Sequence, residues 1–289
     1  MSPLSDAAAA RPAEAALFTA LVDDAAVFPP GNAPLAEALR LHRIHRASGY
    51  AAWVGPLLVP ASGARDLVGL LGAETPRAGE ALRVAVIGRP GTPGTDVDEA
   101  VSLLRTTDDV EVVGVELGWT PGWRETPFGL PLSLEVPRGA AQLDAIADLA
   151  ADVSDSTLLQ AKFRTGATET WAWPDEGELA TFIRAAVDHD LGFKLTGGLH
   201  HAVRGTYDGQ EQHGLLNVLV AVRWALNGDE VDELVPLLAE RDPAVLVAHT
   251  TRMSAADAAI VRAFFTAYGC CEVTDPIGEL TTLRLVEGA

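Results

Sequence analysis

The chain has 289 residues, and its 48% hydrophobic content is ample for a large core, while forty Asp plus Glu against 21 Lys plus Arg give a formal charge of −19. Such a field repels nucleic acid and anionic membrane surfaces, and no apolar run is long enough to span a bilayer. The two cysteines, Cys270 and Cys271, are adjacent and poorly placed to bridge each other, and the start, Met1 to Asp6, lacks the basic residues and apolar stretch of a signal peptide, so a reduced cytoplasmic setting is expected.

Apolar, β-rich runs alternate with helical periodicity along the chain. Strands are expected at 21–28, 52–59, 82–87, 110–117, 130–136, 157–163 and 192–196, with the last at 244–249 or 268–273. Helices are expected at 34–46, 64–71, 97–104, 140–151, 176–188, 215–226 and 255–268, with Ser62 and Asp175 as start signals. The link 118–129, GWTPGWRETPFG, is too short and too rich in Pro and Gly for a full helix, and His200 to His213 reads as a long polar loop. Strands alternating with helices mean a parallel sheet. Eight such units predict an α/β fold, a single (β/α)8 TIM-type barrel with 1–289 as one domain. An open doubly wound sheet is the alternative, without a GxGxxG or Walker loop in support.

Nearly every basic residue is Arg; the chain holds two lysines, Lys162 and Lys194. Each lies near the end of an apolar run and is followed by Thr-Gly, about one βαβ unit apart. Lysine is seldom buried unless paired or used. Two ammonium groups aimed into one barrel mouth repel, which drives one toward the neutral amine, a nucleophile for carbonyl carbon. The plainer reading is a buried ionic layer in which the lysines pair with Glu116 and Glu135.

Barrel sites form at the C-terminal strand ends. That rule collects Asp23 and Asp24 from the first strand, Glu116 from the fourth, Glu135 from the fifth, Lys162 and Arg164 from the sixth, Lys194 and Thr196 from the seventh, and His200 and His201 beyond it. Alternation puts Lys162 and Arg164 on one face, and likewise Lys194 and Thr196. Phe28 to Asn32 makes a sharp exit that brings Asp24 close to the mouth, and Trp171 and Trp173 stand where they can cover a pocket. His42 and His45, flanked by Arg40, Arg43 and Arg46, are expected on an exposed helix face. The cysteines are expected to be small buried hydrophobes.

The strings Lys162-Phe163-Arg164-Thr165-Gly166 and Gly192-Phe193-Lys194-Leu195-Thr196-Gly197-Gly198 resemble the two lysine motifs of deoxyribose-phosphate aldolase-type class I aldolases. In that family the motifs lie on strands six and seven of the barrel. The resemblance implies that Lys162 forms the Schiff base, that Lys194 lowers its pKa, and that Gly197 and Gly198 bind a substrate phosphate. The chain departs from the family in Arg164, where a small hydroxyl side chain is usual, and in the surroundings of Glu116.

The sequence therefore predicts an aldolase-like carbon–carbon lyase for a small carbonyl compound, needing no cofactor. Lys162 is the nucleophile; Lys194, Glu116, Glu135, His200 and His201 complete the catalytic set. Arg164 and Arg204 hold an anionic group, with Asp24, Thr196, Gly197, Gly198, His213 and Asn217 in the binding set; the last two project from one helix face near its N-terminus. A competing expectation is a metal-dependent lyase, isomerase or hydrolase with a divalent ion on His200, His201 and His213 and a carboxylate. A third is a binding barrel without chemistry. The expected partner is a small molecule, with a homo-oligomer open.

Overall fold

Eight parallel strands close into a barrel in the computed structural model, which describes residues 16–74, 80–125, 127–154 and 158–287. They are β1 (Val22–Asp24), β2 (Val54–Pro60), β3 (Leu82–Ile87), β4 (Val110–Gly118), β5 (Leu132–Glu135), β6 (Leu159–Arg164), β7 (Phe193–Thr196) and β10 (Phe265–Cys270), which pairs with β7 and β1 to complete the ring. A two-stranded antiparallel hairpin, β8 (Gly205–Tyr207) and β9 (Gln210–Gln212), interrupts the stretch expected to be a loop. The helices are α1 (Leu35–Arg46), α2 (Ala64–Ala73), α3 (Gly94–Arg105), α4 (Gln142–Ala150), α5 (Glu176–Asp188), α6 (Leu215–Ala225), α7 (Val231–Ala239), α8 (Pro243–Thr251), α9 (Ala255–Phe264) and α10 (Thr274–Thr282). The (β/α)8 barrel expected from the alternation is the observed fold.

Differences from the expected elements have local causes. The first strand is three residues long because the chain turns at once: Phe28 N–H donates to Ala25 O at 2.8 Å. Residues 244–249 are helix α8, started by Pro243 and capped by Asp242, so the eighth barrel strand is the C-terminal candidate, beginning earlier at Phe265. That strand truncates the helix expected over 255–268 at Phe264. Asp175 caps α5 in a reciprocal capping box with Glu178, whereas Ser62 lies in a 3-10 turn and makes no cap bond. Among its described residues the link 118–129 holds one 3-10 turn, at Trp123–Glu125. The expected strand start at Thr157 and the chain start, Met1 to Asp6, lie outside the described residues.

Two apolar layers fill the molecule. The larger lies between barrel and helices; in it the rings of Phe163, Phe182, Phe193 and Phe265 meet in series with centroids 4.8, 5.2 and 5.5 Å apart, stacked in the first and last pairs and edge to face in the middle one. α6 is apolar around most of its circumference because α7, α8 and α9 pack on it as well as α5. The smaller layer, Ala25, Leu58, Ala85 and Ile87, is separate from it, with Phe28 and Val113 packed against it. Among the described residues no helix is long and apolar enough to cross a membrane.

Candidate active site

Strand alternation decides which first-strand acid faces the interior. Asp23 points inward; Asp24 points outward, where it bonds His42 of α1 at 3.0 Å and accepts the Ala26 N–H at 3.2 Å. Asp24, expected in the binding set, therefore lies off the cavity lining. His42 and His45, expected to be exposed, are 2% and 8% exposed, the second bonded to Tyr50 Oη at 3.0 Å.

In register, Glu135 of β5 stands beside Lys162 of β6, and Lys162 beside Lys194 of β7. Two ammonium groups on adjacent strands need negative charge between them, and Glu116 of β4 supplies it. Its Oε2 accepts from Lys162 at 3.1 Å and its Oε1 from Lys194. Asp23 accepts from the other side of Lys194. Glu135 Oε2 lies 3.1 Å from Lys162 Nζ, and Arg164 forks onto the same carboxylate at 2.8 and 3.3 Å. Three carboxylates and three cations thus form one connected network, the ionic layer that the sequence held open as an alternative.

Burial alone would raise the pKa of Glu116; attraction to Lys194 and Lys162 outweighs it and brings the carboxyl down to about 2. Burial would lower Lys194, but Asp23 and Glu116 outweigh it, so this amine stays charged above its ordinary range. Asp23 goes the other way: burial holds its carboxyl above the usual value despite Lys194. Its Oδ1 is buried without a hydrogen-bond partner among the described residues. Gly55 makes room for that oxygen, since a Cβ there would overlap it. Glu135 is pushed up by burial and, more strongly, down by Lys162 and Arg164.

A cavity of about 520 Å³ opens above this network. Glu116, Glu135, Lys162, Arg164, Thr196, Gly197 and His200 line it; Lys194 and Asp23 do not. Its apolar wall includes Leu58, Ile87 and Leu117, and its rim carries Phe28 and Trp171. The ring of Trp171 lies under the Arg138 guanidinium at 5.1 Å, and the ring of Phe28 under that of Arg89 at 5.2 Å. His200 enters between the cysteines, with Cys270 Sγ and Cys271 Sγ each 3.6 Å from a ring nitrogen. Burial keeps His200 below the ordinary imidazole value and both thiols above theirs. Cys271 lines the cavity, so only Cys270 is the inert buried thiol expected of both.

The remaining sequence candidates lie elsewhere. His201 bonds Glu279 at 2.7 Å and stacks on Tyr207. Arg204 pairs with Glu176 at 2.6 Å and Glu211 at 3.4 Å, and its guanidinium meets His213 Nδ1 at 3.3 Å. His213 Nε2 meets Pro174 O at 2.9 Å; burial and Arg204 bring it down to about 4. Asn217 is fully buried and ties the Arg204 N–H to the carbonyls of Leu237 and Glu240, a structural clamp. The three histidines proposed as metal ligands are thus held in three separate contact sets, and among the described residues no group of three His, Cys, Asp or Glu has metal-holding geometry.

Gly198 packs on Thr165, and Gly166 meets the Gly197 carbonyl so closely that a side chain at 166 would overlap it. The glycines after both lysines therefore let the loops after β6 and β7 lie backbone to backbone. This spacing role needs no ligand.

Comparison with family models, with curated proteins and with solved structures finds no match. The case for function rests on the site itself. Asp23 is found by applying alternation to the Asp23-Asp24 pair. Arg89 and Arg138 follow β3 and β5 by a few residues, so the strand-end rule extended into the loops would collect both. Cys271 had no sequence signal, because the histidine beside it lies in a different loop.

Proposed function

We propose that this barrel is a Schiff-base lyase acting on a small carbonyl compound, with Lys162 as the amine nucleophile. One observation carries the reading: of the two lysines, Lys162 alone lines the cavity, and its amine sits between Glu116 and Glu135 at 3.1 Å from each. A carbonyl carbon placed there has an amine to attack it and carboxylates to exchange protons with that amine.

The residues divide the work by access. Glu116 is 3% exposed and shared by both lysines, so it fixes the position of Lys162. Glu135 has a side chain 24% exposed and takes the proton that Lys162 loses before attack. The carbinolamine then loses its hydroxyl as water, with Glu135 returning the proton, and leaves a protonated imine on Nζ. Cleavage of the adjacent carbon–carbon bond sends its electron pair into that imine and forms an enamine, while His200 removes the proton from the departing hydroxyl. Reprotonation of the enamine carbon and addition of water release the second product and free Lys162. Lys194, charged and sealed behind Glu116, is a positioning residue. The free thiols fit a reducing cytoplasmic compartment.

Borohydride trapping with a panel of small aldehydes, ketones and keto acids, read by intact mass and peptide mapping, tests the assignment. A saturable single adduct on Lys162 is expected. A second reading, favoured by the two carboxylates against Lys162, keeps that residue as an ammonium group that stabilises an enolate electrostatically. It predicts no adduct from the same panel, and turnover that survives Lys162→Arg in part.

A further inference from the structure

We propose that Arg89 selects the substrate by an anionic group distant from the reacting carbonyl, so that the ligand is an extended oxo-acid; the proposal rests on the Schiff-base reading of Lys162. Among the described residues four cations line the cavity: Arg89, Arg138, Lys162 and Arg164. Three are neutralised within the protein, Lys162 by Glu116 and Glu135, Arg164 by Glu135, and Arg138 by both oxygens of Glu178 at 2.7 and 2.9 Å. Arg89 has no carboxylate partner among the described residues; its guanidinium lies over the Phe28 ring. In a chain with forty acidic residues, a cavity cation left without one marks a place where the ligand brings the negative charge. The ring holds the guanidinium by its face and leaves its N–H edge to fork onto a carboxylate.

The surroundings set the shape of the ligand. Arg89 follows β3, three strands from Lys162 on β6; between them β4, β5 and the residue after β5 add Leu117 and Val136 to the lining beside Glu116 and Glu135, whose charges are taken up by Lys162, Lys194 and Arg164. A ligand that reaches from Lys162 to Arg89 therefore passes apolar side chains, which suits methylenes or an aryl group. Beyond Arg89 lies a second cavity of about 440 Å³, whose lining shares Gly88, Arg89, Pro90, Leu117 and Gly118 with the first. Arg89 thus stands at the junction. Among the described residues the one acid lining the second cavity is Glu125, which disfavours passage of an anion past the arginine.

The test uses 4-oxobutanoate, 6-oxohexanoate and 8-oxooctanoate, each paired with the neutral aldehyde of equal length, in borohydride trapping on the full chain. The readout is the ratio of half-saturating concentrations, aldehyde over oxo-acid, for the adduct on Lys162. At the best-fitting length the wild type should prefer the oxo-acid by about tenfold or more, the value of one charge-assisted hydrogen-bonded contact. Arg89→Met should bring the ratio near one, and Arg89→Lys should restore part of it. A wild-type ratio near one at every length, or a ratio unmoved in Arg89→Met, overturns the proposal. If neutral and acidic aldehydes alike leave Lys162 unmodified, the Schiff-base reading fails by itself. Calorimetric titration of hexanoate, adipate and hexanol then decides the anion site: carboxylate-selective binding lost in Arg89→Met upholds it, and equal binding overturns it.

Discussion

From β1 to β3 the barrel interior above Asp23 is closed by Ala25, Leu58, Ala85 and Ile87, whereas from β4 to β7 the same level holds Glu116, Glu135, Lys162, Arg164 and Lys194. Both halves are inner faces of one closed sheet; the apolar four are buried, whereas Glu135 and Arg164 of the ionic half are partly open to the cavity. The apolar half needs only shape and volume. In the ionic half each charge is compensated by neighbours on other strands, and removal of the shared Glu116 leaves both lysines short of negative charge. What the contrast teaches is where chemistry can reside. A group that must change its charge during a reaction belongs among partners that can take up the change, and Lys162 is the amine of that half that meets the cavity.

The largest expected effect is on the amine itself. Lys162→Ala should lose the borohydride adduct entirely while keeping the fold, because Glu116 retains Lys194 and Glu135 retains Arg164; circular dichroism would check the fold, and an adduct on the variant would end the assignment. Glu116→Gln strikes at the centre of the ionic half. It should cost about 3–5 kcal/mol in denaturant unfolding, the usual cost of breaking a buried charge pair. A loss below 1 kcal/mol would mean that the two halves are alike after all.

Acid should separate the halves next. Glu116 has its carboxyl at about 2 in the fold against an ordinary 4.5. A depressed acid contributes stability that is complete above about pH 4.5 and fades as pH falls toward 2, on the order of 3 kcal/mol for this shift. Asp23, held above its ordinary value by burial, opposes the trend, because the fold takes up its proton sooner than the unfolded chain does. Net loss of stability across that window, smaller in Glu116→Gln, is the expected outcome of unfolding curves taken from pH 6 to pH 2. The smallest effect belongs to the apolar half. Leu58→Ala abuts the cavity and should cost about 2 kcal/mol, the low end for a buried leucine, with the same loss at pH 3 and pH 7. A pH-dependent loss there would couple the two halves.

The barrel was legible in the chain because its signal is repetition: apolar runs at regular spacing, each followed by a helical period. The eighth strand was ambiguous because 244–249, Ala-Val-Leu-Val-Ala-His, is as apolar as a strand yet follows Asp242-Pro243, a strong helix start. At the site, strand position placed Lys162, Glu116, Glu135, Arg164 and Thr196 on the cavity lining, and the same alternation turns Asp24 to the other face. It did not reach His201, Arg204, His213 and Asn217, which lie in the loops around the β8–β9 hairpin and on the helix that follows, outside any strand whose period would fix direction. His42 and His45 misled for a different reason: three neighbouring arginines suggest solvent, but the histidine face of α1 turns to Asp24 and Tyr50.

Both lysines of the chain are 4% exposed and lie inside the barrel. The outer surface thus carries its positive charge entirely as guanidinium, and no lysine side chain is available there to acylation, methylation or conjugation. Amine-directed crosslinkers and coupling resins would meet little besides the amino terminus. Any small reagent that acylates a lysine of the folded protein must therefore have entered the barrel, which makes indiscriminate amine chemistry site-selective by exclusion.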